Sequence, residues 1–134
     1  MTVRLDHHIV HARDPEASAR FLSEVLGLDA PSRFGHFHVV RVHNDVSLDF
    51  IGTDDEAYLV PNHYAFLVSE EEFDEILGRI RQRGLTYYAD PAGQQPGETN
   101  RHFGGRGVYW ADPDGHWLEI ITVPYGGWDG ATAP

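Results

Sequence analysis

Two histidines and a glutamate, His7, His63 and Glu119, occupy positions suited to holding a divalent metal. Two imidazoles and one carboxylate on three strands can bind one face of an octahedral ion and leave its other positions open. That arrangement suits Fe(II) oxygen chemistry, and it also serves Mn(II) or Mg(II) as a Lewis acid. Taken singly, each of the three is an ordinary surface or hydrogen-bonded residue. What joins them is a recurrence in the chain. Residues 6–28, DHHIVHARDPEASARFLSEVLGL, are echoed by residues 62–85, NHYAFLVSEEEFDEILGRIRQRGL. Each opens with a His one residue into an alternating run, then passes a helix-capping residue, a helical stretch and a closing Gly-Leu. Each half later ends in an acid between apolar residues, Leu48-Asp49-Phe50 and Leu118-Glu119-Ile120. A duplicated βαβββ module with His on its first strand and an acid on its last is a way of assembling a metal site.

The elements that must position these residues follow from local pattern. Residues 4–12 alternate as a strand, with His7, Ile9 and His11 on one face and His8, Val10 and Ala12 on the other. Asp14 then Pro15 reads as an N-cap and first helical position, and Gly27 stops a helix whose apolar stripe is Phe21, Leu22, Val25 and Leu26. Residues 36–43 and 46–51 form a hairpin turned at Asn44-Asp45. In the second half, residues 62–68 are a strand. Ser69 with Glu72 makes a capping box, and Phe73, Ile76, Leu77 and Ile80 recur at helical spacing up to Gly84. A short strand at 85–89 precedes the Gly/Pro-rich stretch 90–107, which reads as a functional lid. Strands 108–111 and 116–123, joined by the turn Asp112-Pro113-Asp114-Gly115, complete the module.

The expected architecture is therefore α+β, one domain over 1–134. Module one spans 4–52, an acidic connector 53–61, module two 62–123, and a tail 124–134 is expected to fray unless Tyr125 and Trp128 fold back. Each sheet should curl so that the two make a cup around a metal. At 134 residues the chain has material for one real core. A net charge of −11, from 21 acids against 10 bases, argues against nucleic acid or an anionic membrane as partner. No apolar run is long enough to span a bilayer and MTVRLDHH lacks a secretory apolar stretch, so a cytoplasmic location is expected. With no Cys, any metal must use His and carboxylate.

The Asp6-His7 strand followed by Asp14-Pro15 and Leu26-Gly27-Leu28, the pair Asn62-His63, and the terminal DPDGHWLEI of 112–120 resemble the vicinal oxygen chelate superfamily. That superfamily includes glyoxalase I, fosfomycin-modifying enzymes, bleomycin resistance proteins and extradiol ring-cleavage dioxygenases. The resemblance covers roughly residues 4–123 and implies that His7, His63 and Glu119 are ligands. The segment NRHFGGRGVYWADPDGHWLE, residues 100–119, is further similar to the pattern of type I extradiol dioxygenases. There the positions matching His102 and Tyr109 flank the substrate, hydrogen-bonding it and dioxygen and handling protons. Glyoxalase-like members carry a fourth ligand, usually Glu, at the position of Asp49. Asp is one methylene shorter, so Asp49 is expected to line the pocket instead. Phe103 and Trp110 are expected as apolar walls and Arg106 as a further substrate contact.

The resemblance implies a metal-dependent enzyme. The leading expectation is an Fe(II) dioxygenase acting on a small catechol-like or vicinally oxygenated aromatic, working as a homodimer because many small members complete the cup between two chains. The ligand set also admits Mn(II), Zn(II), Ni(II), Co(II) or Mg(II). Two alternatives stand beside it. One is a metal-free binding protein that sequesters an aromatic natural product. The other is a glyoxalase- or fosfomycin-type lyase, isomerase or transferase using a non-redox metal.

Overall fold

The computed structural model describes residues 2–127, and within them the repeat read from the sequence is a repeat of structure. The first half runs β1 (His7–Ala12), α1 (Pro15–Leu26), β2 (Ser32–Phe34), β3 (Phe37–Arg41) and β4 (Ser47–Gly52). The second runs β5 (His63–Leu67), α2 (Glu70–Gln82), β6 (Tyr87–Tyr88), β7 (Gly107–Ala111) and β8 (Trp117–Ile121). Their sheets have matching strand orders, β1-β4-β3-β2 and β5-β8-β7-β6. In each, the first strand lies parallel to the last and the remaining pairs are antiparallel. A parallel pair cannot be closed by a tight turn, so a helix and a hairpin intervene both times. The fold is thus α+β, two modules each with one helix and one mixed four-stranded sheet.

Two compact units divide the chain. One holds the chain up to Pro61 together with Asp112–Asp114; the other holds Asn62–Ala111 and the chain from Gly115 on. In the first, α1 starts as expected, with the Asp14 carboxylate accepting from the Ala17 N–H at 3.0 Å and Gly27 taking the left-handed conformation at φ 73°. Its buried face differs from the expected stripe. Leu22 and Val25 are buried, but Phe21 and Leu26 are only half-buried, and Ser18, Ala19 and Ser23 are buried in their place. Small side chains let the helix approach β3 and β4 closely. The two hydroxyls remain satisfied, Ser18 donating to Asp114 at 3.1 Å and Ser23 to the Arg20 carbonyl at 3.1 Å. The first module also carries a strand that the sequence reading passed over. β2 pairs Phe34 with Phe37 across a two-residue turn, where Gly35 supplies the positive φ of 58°.

In the second unit, α2 carries the expected capping box. Ser69 accepts from the Glu72 N–H at 3.1 Å, and the Glu72 carboxylate takes the Ser69 N–H at 2.8 Å. Phe73, Ile76, Leu77 and Ile80 are all buried. Replacing Ser69 by Ala is expected to cost about 1 kcal/mol of stability. Thermal melting reads this, and an unchanged midpoint would show that the box does not hold the helix.

The Gly/Pro-rich stretch is more tied down than its composition suggests. The Asp90 carboxylate accepts the N–H groups of Gln94 and Gln95, at 2.8 and 2.7 Å. Short bridges join Tyr88 to Pro96 and Asn100 to Gly107. Of the expected tail, residues 124–127 are described and Trp128 lies outside the described residues. No helix among the described residues is long and apolar enough to cross a membrane.

Candidate metal centre

β5 and β8 fix the chemistry of the second unit. Their parallel register sets His63 beside Trp117 and Ala65 beside Glu119. Alternation then puts His63, Trp117, Glu119 and, from β7, Tyr109 on one face of the sheet, with Val108, Trp110, Leu118 and Ile120 on the other. The second set is core, each 2% exposed or less.

His63 is held at both ring nitrogens. Nδ1 lies 2.9 Å from the Trp117 carbonyl, and Nε2 lies 3.0 Å from Glu119 Oε1. A carbonyl oxygen only accepts, so Nδ1 carries the proton, and in a neutral ring Nε2 is then a lone pair. A lone pair aimed at a carboxylate oxygen repels it unless a proton or a cation lies between them. The separation suits a cation. Cis ligands each ~2.1 Å from one ion stand about 3 Å apart. Nδ1 anchored to an acceptor with Nε2 left to ligate is also how metal-binding histidines are oriented. On this donor set and spacing, a hard or borderline divalent metal fits His63 and Glu119.

Glu119 is 2% exposed and well supplied with partners. The Tyr125 hydroxyl donates to the same Oε1 at 3.0 Å, and the Tyr109 hydroxyl also hydrogen-bonds the carboxylate. Burial, reinforced by the Glu119 carboxylate, pushes the Tyr109 hydroxyl well above the usual phenol range. Tyr109 therefore stays a neutral donor throughout the physiological range. Its ring stacks on Trp117 at 6.0 Å and lies 6.1 Å from the His63 ring.

A small open recess adjoins this carboxylate; Asn100, His102, Phe103, Arg106, Glu119 and Tyr125 are among its lining residues. His102 and Phe103 form a short 3₁₀ turn in which Phe103 adopts φ 55°, a conformation costly for an aromatic residue. The pocket thus gathers His102, Phe103 and Arg106, all expected from sequence, beside Glu119.

Two expected substrate contacts, Trp110 and Arg106, have other partners. Trp110 is 0% exposed on the core face of β7, so it serves packing instead of walling the pocket. Arg106 does line the pocket, but its guanidinium is spoken for. It donates to Glu70 at 2.7 Å and to Asp74 at 2.8 Å, and it lies over the Phe73 ring at 4.3 Å. Its cation pins α2 to the segment before β7, leaving little charge for a ligand.

In the first unit, His7 is anchored in the same manner. Nδ1–H donates to the Asp6 carboxylate at 2.8 Å, which raises the ring above the ordinary imidazole range and leaves Nε2 outward. Asp49 adds negative charge nearby and accepts from the Ser47 hydroxyl at 2.7 Å. Among the described residues, no three His, Asp or Glu side chains gather into one cluster.

Sequence reasoning missed the supporting layer. Asp6 stands beside His7 in the chain and could have been read as its anchor. His116 is 1% exposed and accepts the Asn62 N–H at Nδ1, at 2.9 Å, holding the backbone just before His63. Tyr125 shares the parity of Glu119, Ile121 and Val123, and that period of two was its only signal.

Residues 4–120 match the family model described as the Glyoxalase/Bleomycin resistance protein/Dioxygenase superfamily. The solved structure of oxidase ChaP-H1 is 63% identical, with a TM-score of 0.91 over 94% of this chain and 100% of that one. Oxidase ChaP-H2 is 55% identical, with a TM-score of 0.91 over 95% and 98% of the two chains. The glutathione transferase FosA of Serratia marcescens is 28% identical over 127 residues, 90% of this chain and 81% of that protein.

Proposed function

The chain belongs to the glyoxalase/bleomycin resistance protein/dioxygenase superfamily, and on that premise we propose that it is an Fe(II)-dependent dioxygenase acting on a small catechol-like or vicinally oxygenated aromatic. The observation that carries the reading is His63 Nε2 standing 3.0 Å from Glu119 Oε1 while Nδ1 is tied to the Trp117 carbonyl. The oxidase names of relatives at 63% and 55% identity support oxygen chemistry over the other reactions of the superfamily. The transferase reading draws on the 28% relative. It needs a free cation for a phosphonate, and the engagement of Arg106 by Glu70 and Asp74 weakens it.

In this reading His7, His63 and Glu119 hold the metal. Bound there, iron would supply Lewis acidity toward two vicinal substrate oxygens and electrons to dioxygen. The residues of the chain do the rest. Nδ1–H bonds to the Trp117 carbonyl and to Asp6 keep the two imidazoles in the ligating tautomer. Tyr109, held neutral, donates its hydroxyl hydrogen bond without titrating. His102, which lines the same recess as Glu119, would take a proton from a substrate hydroxyl. Phe103 gives the aromatic ring an apolar wall.

A homodimer accompanies this reading. Apolar side chains on the strand faces that carry the proposed ligands are exposed, Ile9 by 40% and Leu67 by 55%, and a second copy would cover them.

The test is the metal content of protein purified anaerobically without chelator or nickel resin, beside a His63→Ala control. Light scattering is read on the same samples. The expected result is a dimer with close to one iron per chain, lost in the control, and oxygen uptake on adding catechols to the parent. Protein that holds no metal and takes none up on titration would overturn the reading. A monomer with full iron would overturn the dimer alone.

A further inference from the structure

Tyr125 lies beyond the last strand and is 65% exposed as a residue, so burial is not what holds it. What holds it is a hydrogen bond to a carboxylate that is itself only 2% exposed. A carboxylate oxygen has two lone-pair directions. Glu119 Oε1 lies 3.0 Å from His63 Nε2 and 3.0 Å from the Tyr125 hydroxyl. One oxygen can thus accept from the tyrosine and still offer its second lone pair to an ion beside His63. A carboxylate free to rotate about its last bond would present either oxygen, or neither, to an ion beside His63. The phenol fixes which one.

We propose that Tyr125 is a positioning residue for the metal centre, its hydroxyl orienting the Glu119 carboxylate so that Oε1 faces the ion held by His63. It is a charge-assisted hydrogen bond at a ligand, the kind of partner whose loss typically weakens metal binding without disturbing the fold. The inference rests on the metal-centre reading above, and the experiment separates the two. Metal-stripped full-length parent, Tyr125→Phe and Glu119→Ala are titrated anaerobically with Co(II) and followed by visible absorption. The same proteins are melted without metal.

Tyr125→Phe is expected to bind Co(II) roughly tenfold more weakly. Its absorption bands should shift, because the orientation of the ligand changes, and its metal-free melting temperature should match the parent. Glu119→Ala should show no saturable binding. If Tyr125→Phe titrates with the affinity and spectrum of the parent while Glu119→Ala fails to bind, the role of Tyr125 is overturned and the centre stands. An affinity loss matched by a lower melting temperature would make Tyr125 a structural residue and overturn the proposal equally. If Glu119→Ala binds as the parent does, the metal centre falls and the role of Tyr125 falls with it.

Discussion

Glu119→Gln is expected to lower metal affinity by at least about a hundredfold, the upper range for losing a mere outer partner of a ligand, while leaving the metal-free protein no less stable than the parent. The two halves of this result come from one fact. A carboxylate 2% exposed has given up its hydration, and among the described residues its only ion-pair partner is the half-exposed imidazole of His63, a cation only when protonated. Buried charges of this kind are often replaced by neutral groups at no cost. The amide oxygen of Gln still accepts from Tyr125 and Tyr109, and its size is nearly that of Glu. What it lacks is the negative charge that a divalent ion needs. Melting with and without Mn(II) reads both effects, since a ligand that binds only the native state raises the midpoint. The parent should shift with metal and the variant should not. A variant that melts lower than the parent in metal-free buffer would show that Glu119 is structural, and one that still shifts with Mn(II) would move the site elsewhere.

Trp110 should give the largest loss of stability of any single truncation in the second unit. Its side chain is fully buried between neighbours such as Val108 and Leu118, and Trp110→Ala is expected to cost about 3–5 kcal/mol. Trp110→Phe should cost far less, about 1 kcal/mol or under, for a reason specific to this position. The indole Nε1 is buried with no hydrogen-bond partner, so the larger ring carries a desolvation penalty that Phe removes. Chemical denaturation of the two variants gives the comparison. Equal losses would mean that the indole N–H finds a partner, such as a buried water. Either way Trp110→Phe should keep the metal affinity of the parent, because the residue lies on the face of β7 opposite Tyr109.

That placement shows what was legible and what was not. The two modules, the caps at Asp14 and Ser69 and the buried stripe of α2 follow from spacing within a few residues, and all appear in the structure. Trp110 was misjudged although the information was present. Adjacent residues of a strand face opposite ways, so Tyr109 and Trp110 cannot both serve one site. The partners of Arg106 were out of reach, since Glu70 and Asp74 are 36 and 32 residues away and nothing local announces them. Ser18 and Ser23 replace Phe21 and Leu26 in the buried face of α1 because their hydroxyls find acceptors, one of them on Asp114, 96 residues on. Local pattern sees the element; it does not see the acceptor that makes a polar residue tolerable inside.

The parallel pairing of β5 with β8 has a kinetic consequence. The two proposed ligands on those strands, His63 and Glu119, are 56 residues apart in sequence, and the ladder that aligns them can form only after that long loop has closed. Contacts of such separation are slow to form and come late. The ligand pair is therefore absent from early, locally structured forms of the chain, which offer an ion no better purchase than scattered histidines would. On the proposed reading, metal arriving during folding would not act as a template for this half; it would act afterwards, as a brake on unfolding, lengthening the life of the native state without hastening its birth.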